Sequence, residues 1–122
     1  MALVVLSDSF KDGERLGTPH VLSEAYGFGC AGGNLSPQLS WSGAPSETES
    51  FAVTCYDPDA PTGSGFWHWN VANIPATVNA LELGAGDPSA NKMPAGSIEV
   101  RTDFGAPGYG GPCPPEGSNI HR

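Results

Sequence analysis

Phe66-Trp-His-Trp-Asn-Val-Ala-Asn-Ile74 is the stretch on which the fold turns. Aromatic and aliphatic side chains dominate it and neither Gly nor Pro interrupts it, so it reads as a strand. Side chains of an extended chain alternate between faces. Trp67, Trp69, Val71 and Asn73 are therefore expected on one face, and Phe66, His68, Asn70, Ala72 and Ile74 on the other. Working outward, Ser50-Phe-Ala-Val-Thr-Cys-Tyr56 is apolar on both faces and reads as a central strand. Ala2–Ser7, Leu39–Trp41 and Ser97–Thr102 read as shorter strands. From Asp8 to Asn34 the chain is polar and Gly-rich, a long meander with short strands expected near Arg15–Leu22. No window sustains a 3.6-residue apolar period. Gly or Pro leaves at most a turn or two near Val78–Leu83 or Ser89–Met93. With no repeat and no linker, residues 1–122 read as a single all-β domain.

Composition bounds the function. The chain has 122 residues, the size of one ordinary domain. Gly and Pro together make 29 of them, and Leu, Ile, Val and Phe make 23, both leaning toward disorder. Three Trp, three Tyr and five Phe decide for a folded, loop-rich protein. A net charge of −8, with 5 Lys+Arg against 13 Asp+Glu, excludes a basic stripe for nucleic acid. The same charge repels an anionic membrane surface at short range. No apolar run approaches the roughly 18 residues of a membrane span. Ala2–Leu6 is too short for a signal-peptide core and follows no basic residue, so a cytoplasmic chain starting near Met1 is expected. Cys30, Cys55 and Cys113 cannot all pair within one chain, and reduced thiols are the expectation there.

Two motifs dissolve on inspection. Gly27-Phe-Gly29-Cys-Ala-Gly32 matches the dinucleotide fingerprint in letters, but Asn34-Leu-Ser-Pro37 follows where a helix is required, so no cofactor is implied. Asn34-Leu35-Ser36 matches a glycosylation sequon without the secretory context that would give it meaning. Asp57-Pro58-Asp59-Ala60-Pro61 carries more. Two carboxylates stand on a backbone stiffened by two prolines just after a central strand, which suits either an acid at a sheet mouth or an Asx-turn. His68 lies mid-strand, structural or functional. Gly110-Gly-Pro-Cys-Pro-Pro-Glu-Gly117 is a stiff, polyproline-like run ahead of His121, either a wall or a plain loop.

The order and spacing of these elements resemble the phosphatidylethanolamine-binding protein family, in its bacterial and archaeal branch. The likeness rests on Gly33-Asn-Leu-Ser-Pro-Gln-Leu-Ser-Trp41, Asp57-Pro-Asp-Ala-Pro61, Trp67-His-Trp69, Thr102-Asp-Phe-Gly105, Tyr109-Gly-Gly-Pro-Cys-Pro-Pro115 and His121-Arg122. It implies a β-sandwich of two antiparallel sheets with a small anion pocket at one end. Carried over by position, Asp57, His68, Cys113, Pro114 and His121 are the implied ligand-binding residues. Asp59, Pro61, Trp67 and Trp69 are the implied shapers of the pocket. Relatives continue past the His-Arg pair with a pocket tyrosine, a core strand and often a helix. Here the sequence ends at Arg122, so these are missing. The expectation is a longer product whose C-terminal fragment stays docked, or a homodimer mate supplying a strand.

The implied function is a binding module for phosphate or a phosphorylated headgroup, with no catalytic residue, cofactor or metal assigned. Two imidazoles beside Asp57 can hold an oxyanion if one is protonated, and the carboxylate favours that cation. Ethanolamine- or choline-type cations would rest against Trp or Tyr faces. Rival readings use the same residues. One is a regulator that inhibits a kinase or serine protease. Others are an enzyme using Asp57 and the histidines for acid–base chemistry, a two-histidine, one-carboxylate metal site, and a Cys113–His121 nucleophile and base.

Overall fold

The computed structural model describes residues 2–122. Two three-stranded antiparallel sheets face one another across the core. Strands β1 (Val4–Leu6), β2 (Leu39–Ser42) and β5 (Ala80–Leu81) form the first, in the order β1-β2-β5. Strands β3 (Ser50–Asp57), β4 (Phe66–Pro75) and β6 (Ile98–Val100) form the second, in the order β3-β4-β6. Among the described residues, helical structure is confined to three single 3-10 turns, at Thr18–His20, Glu24–Tyr26 and Pro88–Ala90. The expected all-β sandwich is therefore found, while the strands expected near Arg15–Leu22 are replaced by the first of these turns.

Trp41 and Leu81 from the first sheet meet Trp69, Val71 and Ile74 from the second, with Ala85 and Tyr109 closing the core. Leu39, Phe51, Val53, Cys55, Val78 and Met93 pack against this cluster. Such burial is the dominant favourable contribution to a fold of this size.

Simple alternation fails along β4, for an identifiable reason. Phe51 pairs with Ile74 and Val53 with Val71, so Ala52 faces two residues, Ala72 and Asn73. Asn73 absorbs the extra residue at φ 56°, a left-handed conformation that Asn tolerates better than most. Val71 and Ile74, three apart, consequently both point into the core. A second irregularity sits at His68: Cys55 pairs with Trp69 and Tyr56 with Trp67, leaving His68 unopposed. The two tryptophans expected on one face are thereby separated. Trp69 is sealed in the core, and Trp67 lies outside against Tyr56 with ring centroids 4.3 Å apart.

The long meander is pinned by the rest of the chain. The amides of residues 32–35 donate to carbonyls of residues 18–22, among them Gly32 to Leu22 at 2.9 Å and Asn34 to Val21 at 2.8 Å. The Tyr109 hydroxyl donates to the His20 carbonyl at 2.8 Å. Cys30 and Cys113 form a disulfide across 83 residues of sequence, and Cys55 alone is a free thiol. This overturns the expectation of reduced cysteines: the Gly-rich loop and the proline-rich run, remote in sequence, are adjacent in space. Leu3, Val4, Val5 and Leu6 are all exposed, so β1 adds a strand without adding to the core.

Candidate functional site

Where β3 ends and β4 begins, a cavity of about 220 Å³ opens between the second sheet and the loops. At about 30 Å³ per water in the liquid, it holds roughly seven waters. That suits a small headgroup rather than a large ligand. β3 delivers Asp57 and β4 delivers Phe66 and His68. The following loop gives Ala60, Pro61 and Thr62, and the proline-rich run gives Gly111, Cys113, Pro114 and Pro115. Leu22, Phe28, Phe104 and His121 complete the lining.

Asp57 does the work of both of its sequence readings. Its Oδ1 accepts from the Asp59 amide at 2.9 Å, an Asx-turn that fixes the loop. Its Oδ2 accepts from His121 Nδ1 at 2.5 Å, with both side chains mostly shielded from solvent. Asp59 does not reach the cavity lining. It holds Arg122 through the backbone amide at 2.7 Å and the guanidinium at 3.2 Å, which keeps its carboxyl below the usual carboxylate range. The pair Asp57 and Asp59 thus clamps His121-Arg122 against the end of β3.

His68 is held from the opposite side. Its Nδ1 lies 2.8 Å from the Gly110 carbonyl, and the Gly110 amide donates back to the His68 carbonyl at 3.0 Å. Phe66 and Phe104 flank the ring, at centroid distances of 4.9 and 5.8 Å. Glycine is required at 110 because a Cβ there would collide with the Phe104 ring. Burial lowers the His68 pKa from its ordinary value, outweighing Gly110, Asp57 and Asp103, which act in the other direction.

Of the residues named from sequence, Asp57, His68, Pro61, Cys113, Pro114 and His121 come together on the cavity. Trp67 and Trp69 do not, being taken by Tyr56 and by the core. Trp69 Nε1 donates to Glu99 Oε2 at 3.1 Å, and its ring meets Tyr109 edge-on. Cys113 carries no thiol because it is joined to Cys30, so a Cys113 nucleophile is excluded. Its Sγ rests 3.5 Å from the Phe28 carbonyl. Cys55 is packed inside, where burial pushes its pKa up to about 11 and leaves it unreactive.

Phe28, Phe66 and Phe104 went unassigned. Phe104 contacts Tyr26 at 5.2 Å and Phe66 at 4.8 Å, forming an aromatic collar around the mouth. Phe66 was legible as the neighbour of His68 on the same strand face. Phe28 and Phe104 sit in Gly-rich loops whose placement depends on the disulfide and on the β4–Phe104 packing.

Two antiparallel sheets with a small, proline-walled cavity anchored by a histidine–carboxylate pair define the class of protein. The comparisons make it specific. The family model described as "Phosphatidylethanolamine-binding protein" matches residues 6–122, and the chain belongs to that family. It is 58% identical over 121 residues to YbcL of Escherichia coli K12, covering 99% of this chain and 64% of that protein. YbhB of the same organism is 48% identical over 118 residues, covering 97% and 72%. The crystal structure of E. coli YbcL, described as a new member of the mammalian PEBP family, superposes with a TM-score of 0.92 at 57% identity. That match spans 98% of this chain and 71% of YbcL's. The Chlamydia trachomatis homologue CT736 has a TM-score of 0.75 at 28% identity, covering 94% of this chain and 67% of its own. The chain thus spans about two thirds of the length of these relatives.

Proposed function

We propose that the cavity binds a small phosphate-type anion or phosphorylated headgroup, anchored by His121 and Asp57 and walled by Pro61, Pro114 and Phe104. The observation that carries this reading is the convergence of Asp57, His68 and His121, from three separate segments, on one 220 Å³ cavity. Asp57 holds the His121 ring by Nδ1, so Nε2 is the nitrogen left to bond a ligand, and protonation makes it a charged donor. One or two charge-assisted hydrogen bonds of about 1.5–3 kcal/mol each, added to contact with the collar, support millimolar to micromolar affinity.

The name of the family supports a phosphoethanolamine-type headgroup. The aromatic collar supports it physically, since a ring face attracts an ammonium group. The Cys30–Cys113 disulfide favours an oxidising compartment over the cytoplasm expected from the lack of a signal-peptide pattern. Among the described residues no helix is long and apolar enough to cross a membrane.

The test is an NMR titration with O-phosphorylethanolamine and inorganic phosphate. Saturable shifts confined to the amides of Asp59, Thr62, His68 and Gly111, weakened at least tenfold by His121→Ala, are expected. Shifts scattered over the surface, or none at millimolar ligand, would refute it.

A further inference from the structure

Tyr109, Gly110 and Gly111 are buried, so their backbone groups need partners. His68 serves one side of this run. The Gly110 amide donates to the His68 carbonyl at 3.0 Å, and His68 Nδ1 lies 2.8 Å from the Gly110 carbonyl. The Tyr109 carbonyl and the Gly111 amide are met instead by a single side chain, Asn34. Its Nδ2 donates to the Tyr109 carbonyl at 3.3 Å, and its Oδ1 accepts from the Gly111 amide at 2.7 Å.

Peptide planarity couples the two sides. The Tyr109 carbonyl and the Gly110 amide belong to one plane, and the Gly110 carbonyl and the Gly111 amide to the next. Each plane is bonded to His68 on one edge and to Asn34 on the other. Glycine at 110 rotates freely about φ and ψ, so the orientation of both planes is imposed by these partners. A carbonyl oxygen only accepts, so the Gly110 bond places the His68 ring hydrogen on Nδ1 and fixes the ring. His68 and Gly111 line the cavity, whereas Asn34 is not among its lining residues.

The local backbone is built for this contact. Asn34 has φ 52°, a left-handed conformation that Asn, Asp and Gly adopt more readily than other residues. Its amide is held on the Val21 carbonyl at 2.8 Å. A primary carboxamide offers a donor and an acceptor in one plane, as a peptide group does, and so replaces a neighbouring strand.

Resting on the anion-binding reading above, we infer that Asn34 is a positioning residue of the anion cavity. Its carboxamide clasps both peptide planes of Gly110 and thereby keeps the His68 ring, hydrogen on Nδ1, in its place on the cavity wall. The Asn34-Leu35-Ser36 match to a glycosylation sequon is accounted for by this role, since a glycan on Nδ2 would break the clasp.

Two variants and a control test it. Asn34→Gly keeps the left-handed backbone and removes the carboxamide. Asn34→Asp keeps the shape and one acceptor but sets a carboxylate oxygen against the Tyr109 carbonyl. Phe51→Leu, at the far end of β3 from Asp57, loosens the packing on Trp41 without touching the clasp and controls for stability. The Cys30–Cys113 disulfide joins the same two loops, so in the oxidised protein these variants test the orientation of Gly110 rather than attachment of the loop.

The readouts are calorimetric titration with O-phosphorylethanolamine at pH 7 and nitrogen-15 spectra of the His68 ring. The unaltered protein and Phe51→Leu are expected to show hydrogen on Nδ1 and to agree in affinity within about threefold. Both Asn34 variants are expected to lose the Nδ1 hydrogen signal and to bind about tenfold or more weakly, the value of one hydrogen bond to a charged ligand. Either readout unchanged in Asn34→Gly would overturn the inference. Equal losses in Phe51→Leu would do the same, since Asn34 would then act through stability alone. Hydrogen on Nε2 in the unaltered protein would also overturn it. No uptake by the unaltered protein at millimolar ligand would remove the anion reading, and with it the part of Asn34 in binding, while the Nδ1 signal would still report whether the clasp exists.

Discussion

Cutting the Cys30–Cys113 link is the perturbation whose size follows most directly from the structure. The bond closes a loop of 83 residues. In the chain-entropy model, a loop of that length restricts the unfolded ensemble by about 15 cal/mol/K, or about 4.5 kcal/mol at 25 °C. Nothing in the folded state replaces it, because Cys30 stands in a Gly-rich loop outside every strand. A domain of this size has only about 5–15 kcal/mol of stability to lose. Urea unfolding followed by tryptophan fluorescence is the assay, comparing the oxidised protein with the dithiothreitol-treated protein and with a Cys30→Ala/Cys113→Ala variant. With a urea dependence of about 1–3 kcal/mol/M, the midpoint should fall by roughly 1.5–4.5 M. Ligand affinity should fall too, since Cys113 is part of the cavity wall. Thiol titration of the denatured, unreduced protein should find Cys55 alone. Finding all three cysteines reactive, or midpoints agreeing within about 0.3 M, would refute the reasoning.

Other predictions follow from single contacts. Asp57→Ala removes the partner of His121 and the Asx-turn together and should cost about 1.5–3 kcal/mol in thermal unfolding, while Asp57→Asn, which keeps an acceptor, should cost less than half as much. Glu99→Leu strands the buried Trp69 indole N–H and should destabilise by about 1–3 kcal/mol, whereas Glu99→Gln should be close to neutral by urea titration. His68 has a folded pKa below its ordinary 6.5, so the unfolded chain takes up a proton first as pH falls. Stability should therefore decline as pH drops below about 6.5, by at most about 1.4 kcal/mol per pH unit, and His68→Asn should flatten that decline. Gly110→Ala should disrupt the fold near the cavity, because the added methyl meets the Phe104 ring, and loss of the His68 amide resonance position would report it.

The all-β class was legible because Ser50–Tyr56 and Phe66–Ile74 carry no Gly or Pro and the shorter strands fell between clear turn signals, whereas the two-sheet sandwich was legible only through the family resemblance. What escaped was set by pairing. The bulge at His68 and the irregular step at Asn73 depend on where β3 sits beside β4, and no property of either strand alone specifies a register. Trp67 and Trp69 look equivalent in sequence, yet one extra residue sends one to the surface and the other to the core. Asp57, His68 and His121 were legible through the family resemblance rather than through spacing, as 64 residues separate Asp57 from its histidine. Three cysteines offered three possible pairings and no means to choose among them. Contact between Gly-rich loop and proline-rich run decided it. The aromatic collar was hidden for the same reason, Phe28 and Phe104 being loop residues that converge only after folding.

The central claim is that the cavity at the end of the second sheet is a working anion site built on His121 and Asp57. Its most direct test is native mass spectrometry of the intact protein with O-phosphorylethanolamine, run beside His121→Ala. One ligand per chain in the unaltered protein, and none in the variant under the same conditions, is the predicted result. Equal uptake by both, or uptake by neither, would contradict it.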